Sequence, residues 1–157
     1  MAYKITDPVV GFQPIAESST TQRHNAGARV RAADPVYGEA EFFYAQGVAL
    51  TAPGDLVAFD TVAKTTTRVI LATKGPVGVA MSANLANQWG WYAIFGSVPV
   101  NSSAVVANAS VYGTATPGVT DDAVVAGSLI NGARYKSTDA GGRATVQLSY
   151  PSADGLG

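Results

Sequence analysis

The chain has 157 residues, with ten Lys and Arg against eleven Asp and Glu, one His and no Cys. That length fits one domain able to bury a core without staples. The missing cysteines exclude disulfides and thiolate metal sites, and the net charge of −1 excludes a global field that would gather nucleic acid or anionic lipid. Charged residues make up only 13% and hydrophobic residues 47%, while 17 Gly and 8 Pro punctuate stretches of Val, Thr and Tyr, a balance that favours strands over helices.

Residues 1–36 read as an extended N-terminal arm. Met1-Ala2-Tyr3-Lys4 is not followed by the apolar run of a secretory signal, and no stretch approaches the roughly 18 apolar residues that span a bilayer. A soluble protein made in the cytoplasm, with no membrane partner, is the expectation. From Ile15 to Asn25 there is no apolar periodicity, so this segment is expected to order on a partner surface, its own burial being too small to offset the entropy. Between Glu17 and Asp34 there is no acid, but there are Arg23, Arg29 and Arg31, a local basic patch that also contains His24.

Residues 37–151 read as the β-domain. Glu39 to Ala45 is a strand with charges on one side, and Gly47 to Leu50 follows. Ala52-Pro53-Gly54-Asp55 predicts a type II turn, because Pro presets φ and Gly tolerates φ > 0. Leu56–Asp60 and Thr65–Ala72 are the next strands; Gly75-Pro76 predicts a turn before Val77–Met81, and Asn84 to Asn87 another turn. In Gln88 to Val98, strict alternation puts Trp89, Trp91, Ala93 and Phe95 on one face and Tyr92 and Ile94 on the other. Ala104 to Val111 is echoed by Ala123 to Ile130, two similar strand-turn-strand corners. Arg143–Tyr150 is the last strand, Pro151 ends it, and residues 152–157 form a loose tail. No stretch has a helical period, and the expected fold is all-β: a compact β-barrel or β-sandwich of many short antiparallel strands.

Residues 75–120 contain no Asp, Glu, Lys, Arg or His. A charge-free run that also holds Trp89, Trp91, Tyr92, Phe95 and Tyr112 is expected in the core or in a subunit interface, whose centres are poor in charge and rich in aromatics, the other reading being an uncharged face solvated through its Asn, Ser, Thr and Gly. Catalytic patterns are missing. A lone His24 with no Cys and no Gly-x-Ser-x-Gly elbow makes no nucleophile–base pair, and no phosphate-loop motif occurs. Asp121-Asp122 reads as a solvated turn, since strand neighbours point to opposite faces, and Glu39 and Glu41 read as an exposed strand face. Asn101-Ser102-Ser103 and Asn108-Ala109-Ser110 read as chance matches to glycosylation sequons, since no secretory signal is expected. The expectation is a non-enzymatic protein with no catalytic residue, metal or cofactor.

Gly27 to Tyr44 resembles the arm-to-domain junction of capsid decoration (cement) proteins of tailed bacteriophages. So do Gly54-Asp55-Leu56-Val57 with Phe59-Asp60, and Val77-Gly78-Val79-Ala80-Met81 with Gln88-Trp89-Gly90-Trp91 and Gly96. The resemblance covers roughly residues 15–151. It implies an all-β virion protein, made in the host bacterium, on the outer face of an icosahedral head. Its partners would be the major capsid protein and its own copies, as dimer or trimer, with no specific nucleic acid. The arm would then contact the shell through Arg23, His24, Arg29 and Arg31. The alternative is a carbohydrate-binding or adhesin module of a phage surface structure, with Trp89, Trp91 and Tyr92 as a sugar-stacking platform.

Overall fold

Alternating burial defines the strands. The computed structural model describes residues 3–7 and 11–154, in which there are eleven strands and no helix. They are β1 (Lys4–Ile5), β2 (Arg29–Asp34), β3 (Gly38–Gln46), β4 (Leu56–Asp60), β5 (Thr65–Arg68), β6 (Lys74–Ala80), β7 (Trp89–Ser103), β8 (Ser110–Gly113), β9 (Thr120–Asp121), β10 (Leu129–Tyr135) and β11 (Arg143–Asp154). The protein is all-β, and the eleven strands belong to one sheet.

The 15-residue β7 is the hub, pairing with β3, β6, β9 and β11. From β7 the pairings run through β3, β5, β4 and β6 back to β7, and separately through β11, β10, β8 and β9 back to β7. The larger core gathers Phe42, Tyr44, Leu56, Val79, Trp91, Val98, Ile130, Tyr135 and Leu148. A smaller cluster of Ala45, Val57, Ala80 and Tyr92, with Phe43 and Phe59 against it, is separate from that core.

One local device recurs seven times among the described residues. Asn25–Ala28, Ala52–Asp55, Ile70–Thr73, Leu85–Gln88, Val106–Ala109, Thr116–Val119 and Val125–Ser128 each close with the fourth N–H donating to the first carbonyl. Each has a left-handed third residue, which is Gly27, Gly54, Gly118, Gly127, Asn87, Asn108 or Ala72. A type II turn requires φ > 0 there, which Gly meets without strain and Asn tolerates. In every case a strand begins at the next residue. The two echoed corners of the sequence are two of these seven. The turn expected at Gly75-Pro76 lies instead at Ile70–Thr73, and Gly75-Pro76 is inside β6, so the strand expected over Thr65–Ala72 stops at Arg68.

Residues 11–34 lie against the sheet. β2 pairs with β3 along its whole length, burying Val30 and Ala32, and Ile15 enters the larger core. β11 runs on through Asp154, pairing Ser152, Ala153 and Asp154 with Pro76, Gly75 and Lys74 of β6. Of the expected tail, residues 155–157 lie outside the described residues, as do Met1, Ala2 and residues 8–10 of the arm.

Candidate interaction surface

The anchor of the N-terminal segment is Gln13, which is buried. Its side-chain amide donates to the Glu17 and Trp89 carbonyls at 2.6 and 2.9 Å, and its Oε1 accepts the Tyr44 hydroxyl at 2.8 Å. Its own carbonyl accepts Trp91 Nε1–H at 2.8 Å, and its N–H donates to His24 Nε2 at 2.9 Å. Fully satisfied buried amides of this kind hold a segment in one register. The His24 ring packs edge-on against Tyr44 and tilted against Trp91, each at 5.1 Å. Burial, and then the neighbouring Arg23, lower the His24 pKa from its ordinary value. His24 is therefore a fastener of the segment, and Arg23, Arg29 and Arg31 are the exposed members of the basic patch.

β2 alternates: Arg29 and Arg31 face water while Val30, Ala32 and Asp34 are buried. Arg29 meets Glu41 at 3.5 Å and Arg31 meets Asp7 at 3.6 Å, long surface pairs worth about 0–1 kcal/mol each. By contrast, Asp55 is buried and accepts from Arg68 Nε at 2.9 Å and Asn101 Nδ2 at 2.8 Å, which ties the turn before β4 to β5 and β7.

The five aromatics of the charge-free run separate. Trp91 is buried in the larger core and Trp89 packs at its margin, stacked on Tyr44 at 5.6 Å. Tyr92 is fully buried in the smaller cluster, where Asn84 donates to its hydroxyl, and burial pushes its pKa up to about 12. Tyr112 is half-buried on β8. Trp89, Trp91 and Tyr92 thus present no common platform to a sugar ring.

Phe95 departs from the expected alternation. Along β3 the register steps from Phe42 opposite Ala93 to Glu41 opposite Phe95, so β7 carries one extra residue there, at Ile94. Such a bulge reverses which side chains face which side. Trp89, Trp91 and Ala93 point to the larger core before it and Val98 and Val100 after it, leaving Phe95 on the other face, 39% exposed. Gly96 follows with φ of 98°, where a Cβ would come within 2.5 Å of the Glu39 carbonyl oxygen. Only glycine admits that approach.

On that outer face lies an apolar groove of about 110 Å³, floored by Phe43, Phe59, Val77 and Ile94. Its rim includes Arg29, Pro76 and Tyr150. Tyr150 sits where β11 leaves β7 for β6, with φ of 47°, a left-handed conformation uncommon for a bulky residue. Its hydroxyl donates to Glu41 Oε2 at 2.8 Å, its ring meets Phe95 at 5.4 Å, and the Arg29 guanidinium lies 6.0 Å from the ring centroid. The bond to Glu41 raises the Tyr150 pKa, with burial and the Glu41 charge adding and Arg29 and Arg31 opposing. Chemically the site can accept an apolar side chain in the groove and a carboxylate beside Arg29.

Asp121 and Asp122 are both held in a turn: Asp121 Oδ1 accepts the Asp122 and Ala123 N–H groups, and Asp122 Oδ2 accepts the Val106 N–H. Among the described residues no three His, Asp or Glu side chains gather as a metal site. Neither the family models nor the curated proteins contain a match to this chain.

Sequence reasoning missed Gln13, Phe43, Phe59 and Tyr150. Tyr150 carried a readable signal in the following Pro151, which breaks a ladder and invites a bulge. Gln13 carried none, because its role depends on the carbonyl of Trp89, 76 residues away.

Proposed function

We propose that this chain is a structural virion protein that binds the outer surface of an icosahedral phage head and braces the capsid lattice by bridging capsomers. The observation that carries the reading is the outer face of β2, β3, β7 and β11, where exposed arginines stand beside exposed aromatics on a rigid sheet. Arg29 and Arg31 project from a strand whose other face is locked into the core, and Phe95 and Tyr150 lie beside them. Adhesion is favoured by such a face, whose backbone is ordered before a partner arrives. The resemblance of Gly27 to Tyr44, and of Val77–Met81 with Gln88–Trp91, to phage cement proteins points the same way. On this reading, Arg23, Arg29 and Arg31 meet carboxylates of the major capsid protein, and many weak symmetry-related contacts sum to a strong lattice. We read the two cycles of strands that share β7 as two small barrel-like halves rather than a two-layer sandwich.

Co-sedimentation with capsids of the phage or prophage that encodes the chain tests the proposal. Saturable binding at a fixed copy number per capsid protein is expected. No binding to either unexpanded or expanded shells would overturn it.

A further inference from the structure

A second surface matches the groove in chemistry. The turn that leaves Asp121 at the end of β9 for β10 carries Asp122 followed by Ala123, Val124 and Val125. Val124 is 81% exposed at its tip. Beside it the chain leaves Val106 exposed, through the Val106 N–H held by Asp122, and also Ile70 and Leu71, in the turn that Ala72 N–H ties to Ser128 Oγ at 3.2 Å. Asp121 and Asp122 are each engaged by main-chain N–H groups through one oxygen. The tip is therefore an apolar side chain preceded by two fixed carboxylates. The groove is the complement, an aromatic floor with room for one small side chain and the Arg29 guanidinium at its rim. That guanidinium holds Glu41 by a single hydrogen bond of 3.5 Å. The tip belongs to the cycle of β8, β9 and β10, and the groove floor to the cycle of β3, β4 and β6, so they are different surfaces of one molecule.

We propose that the 121–125 turn of one copy docks in the Phe43–Phe59–Tyr150 groove of another, with Val124 on the aromatic floor and Asp121 or Asp122 against Arg29. The contact rests on the reading that copies of the chain assemble on the shell, and it names the surfaces through which they do so. Opposite charge at the rim selects this pairing, and the matched apolar parts exclude water from it. The left-handed Tyr150 is explained by the same contact: strain kept at a binding site holds the ring over the groove before the partner arrives. Of the three arginines, Arg29 is then drawn into the copy-to-copy contact, leaving Arg23 and Arg31 to the shell.

The test is light scattering of the full chain over a concentration series, with the variants Val124→Lys and Arg29→Glu. Both side chains are exposed, so unchanged thermal unfolding is the control for folding. Wild type is expected to self-associate as concentration rises, and each variant alone to stay at the 16.0 kDa monomer. Mixed together, the two variants are expected to associate one to one, because the mixture again holds one intact tip and one intact groove. A wild type that stays monomeric up to millimolar concentration, or a mixture that fails to associate, overturns the proposal. Capsid co-sedimentation of the same samples separates the two readings. A monomer that binds shells defeats only the tip-and-groove contact, and an oligomer that ignores shells defeats only the capsid role. Arg29→Glu abolishing shell binding with self-association intact would assign the groove to the shell and also overturn the contact.

Discussion

The two faces of β7 are built from the same kinds of residue and end in opposite states. On one face Trp91, Ala93, Val98 and Val100 are closed into the larger core, with Gln13 and His24 sealing the margin. On the other, Tyr92 and Ile94 are buried, but Phe95 breaks the surface beside Tyr150 and Arg29. The difference comes from one inserted residue at Ile94 and from Gly96, which lets β3 approach. Hydrophobicity alone therefore does not separate core from contact surface in this chain. Register does.

Substitutions on the closed face should cost the most. Trp91→Ala is expected to lose about 3–5 kcal/mol of stability in chemical denaturation, from lost transfer energy and the cavity left behind. A loss below about 1 kcal/mol would mean that the face is not closed. Gly96→Ala should cost more than about 2 kcal/mol, because a Cβ meets main chain and the backbone stays left-handed. Next comes Gln13→Ala, at about 1–3 kcal/mol, since it strands the Tyr44 hydroxyl without its acceptor. Protease cleavage within residues 11–28 should speed up in the same variant.

The open face should respond differently. Phe95→Ser is expected to change stability by less than about 1 kcal/mol, while weakening whatever the outer face binds. A large loss of stability there would erase the contrast between the faces. The smallest effect is a pH slope. His24 has a lowered pKa in the fold, so stability is fully present above pH 6.5, its ordinary value, and declines as the pH falls through the folded value. Protonation would also set an N–H against the Gln13 N–H. Urea midpoints at pH 7.5 and 5 should differ more for wild type than for His24→Gln, and equal differences would contradict the fastening role.

Much of the sheet was legible from local signals. Leu56–Asp60 is β4, because Pro53-Gly54 marks its start, and Glu39 to Ala45 lies within β3, because charge alternates along it. The turn at Leu85–Gln88 was visible in Asn87 and the preceding Asn84, but Ile70–Thr73 was not, since Ala72 is a poor residue for a left-handed position. The fate of residues 11–28 was illegible for a different reason. Their burial depends on hydrogen bonds to β3 and β7, partners distant in sequence, and not on any periodicity of their own. Of the candidate site, the exposed arginines were readable from charge spacing. Tyr150 and the groove were not, because they exist only where β11 changes partner from β7 to β6.

A cryo-EM reconstruction of capsids saturated with the protein tests the central claim most directly. The account predicts ordered density on the outer surface at capsomer junctions, with the outer face of β2 and β3 and Arg23 and Arg31 turned toward the shell and the Trp91 core away from any contact. Capsids without added density, or density in which that face is turned to solvent, would contradict it.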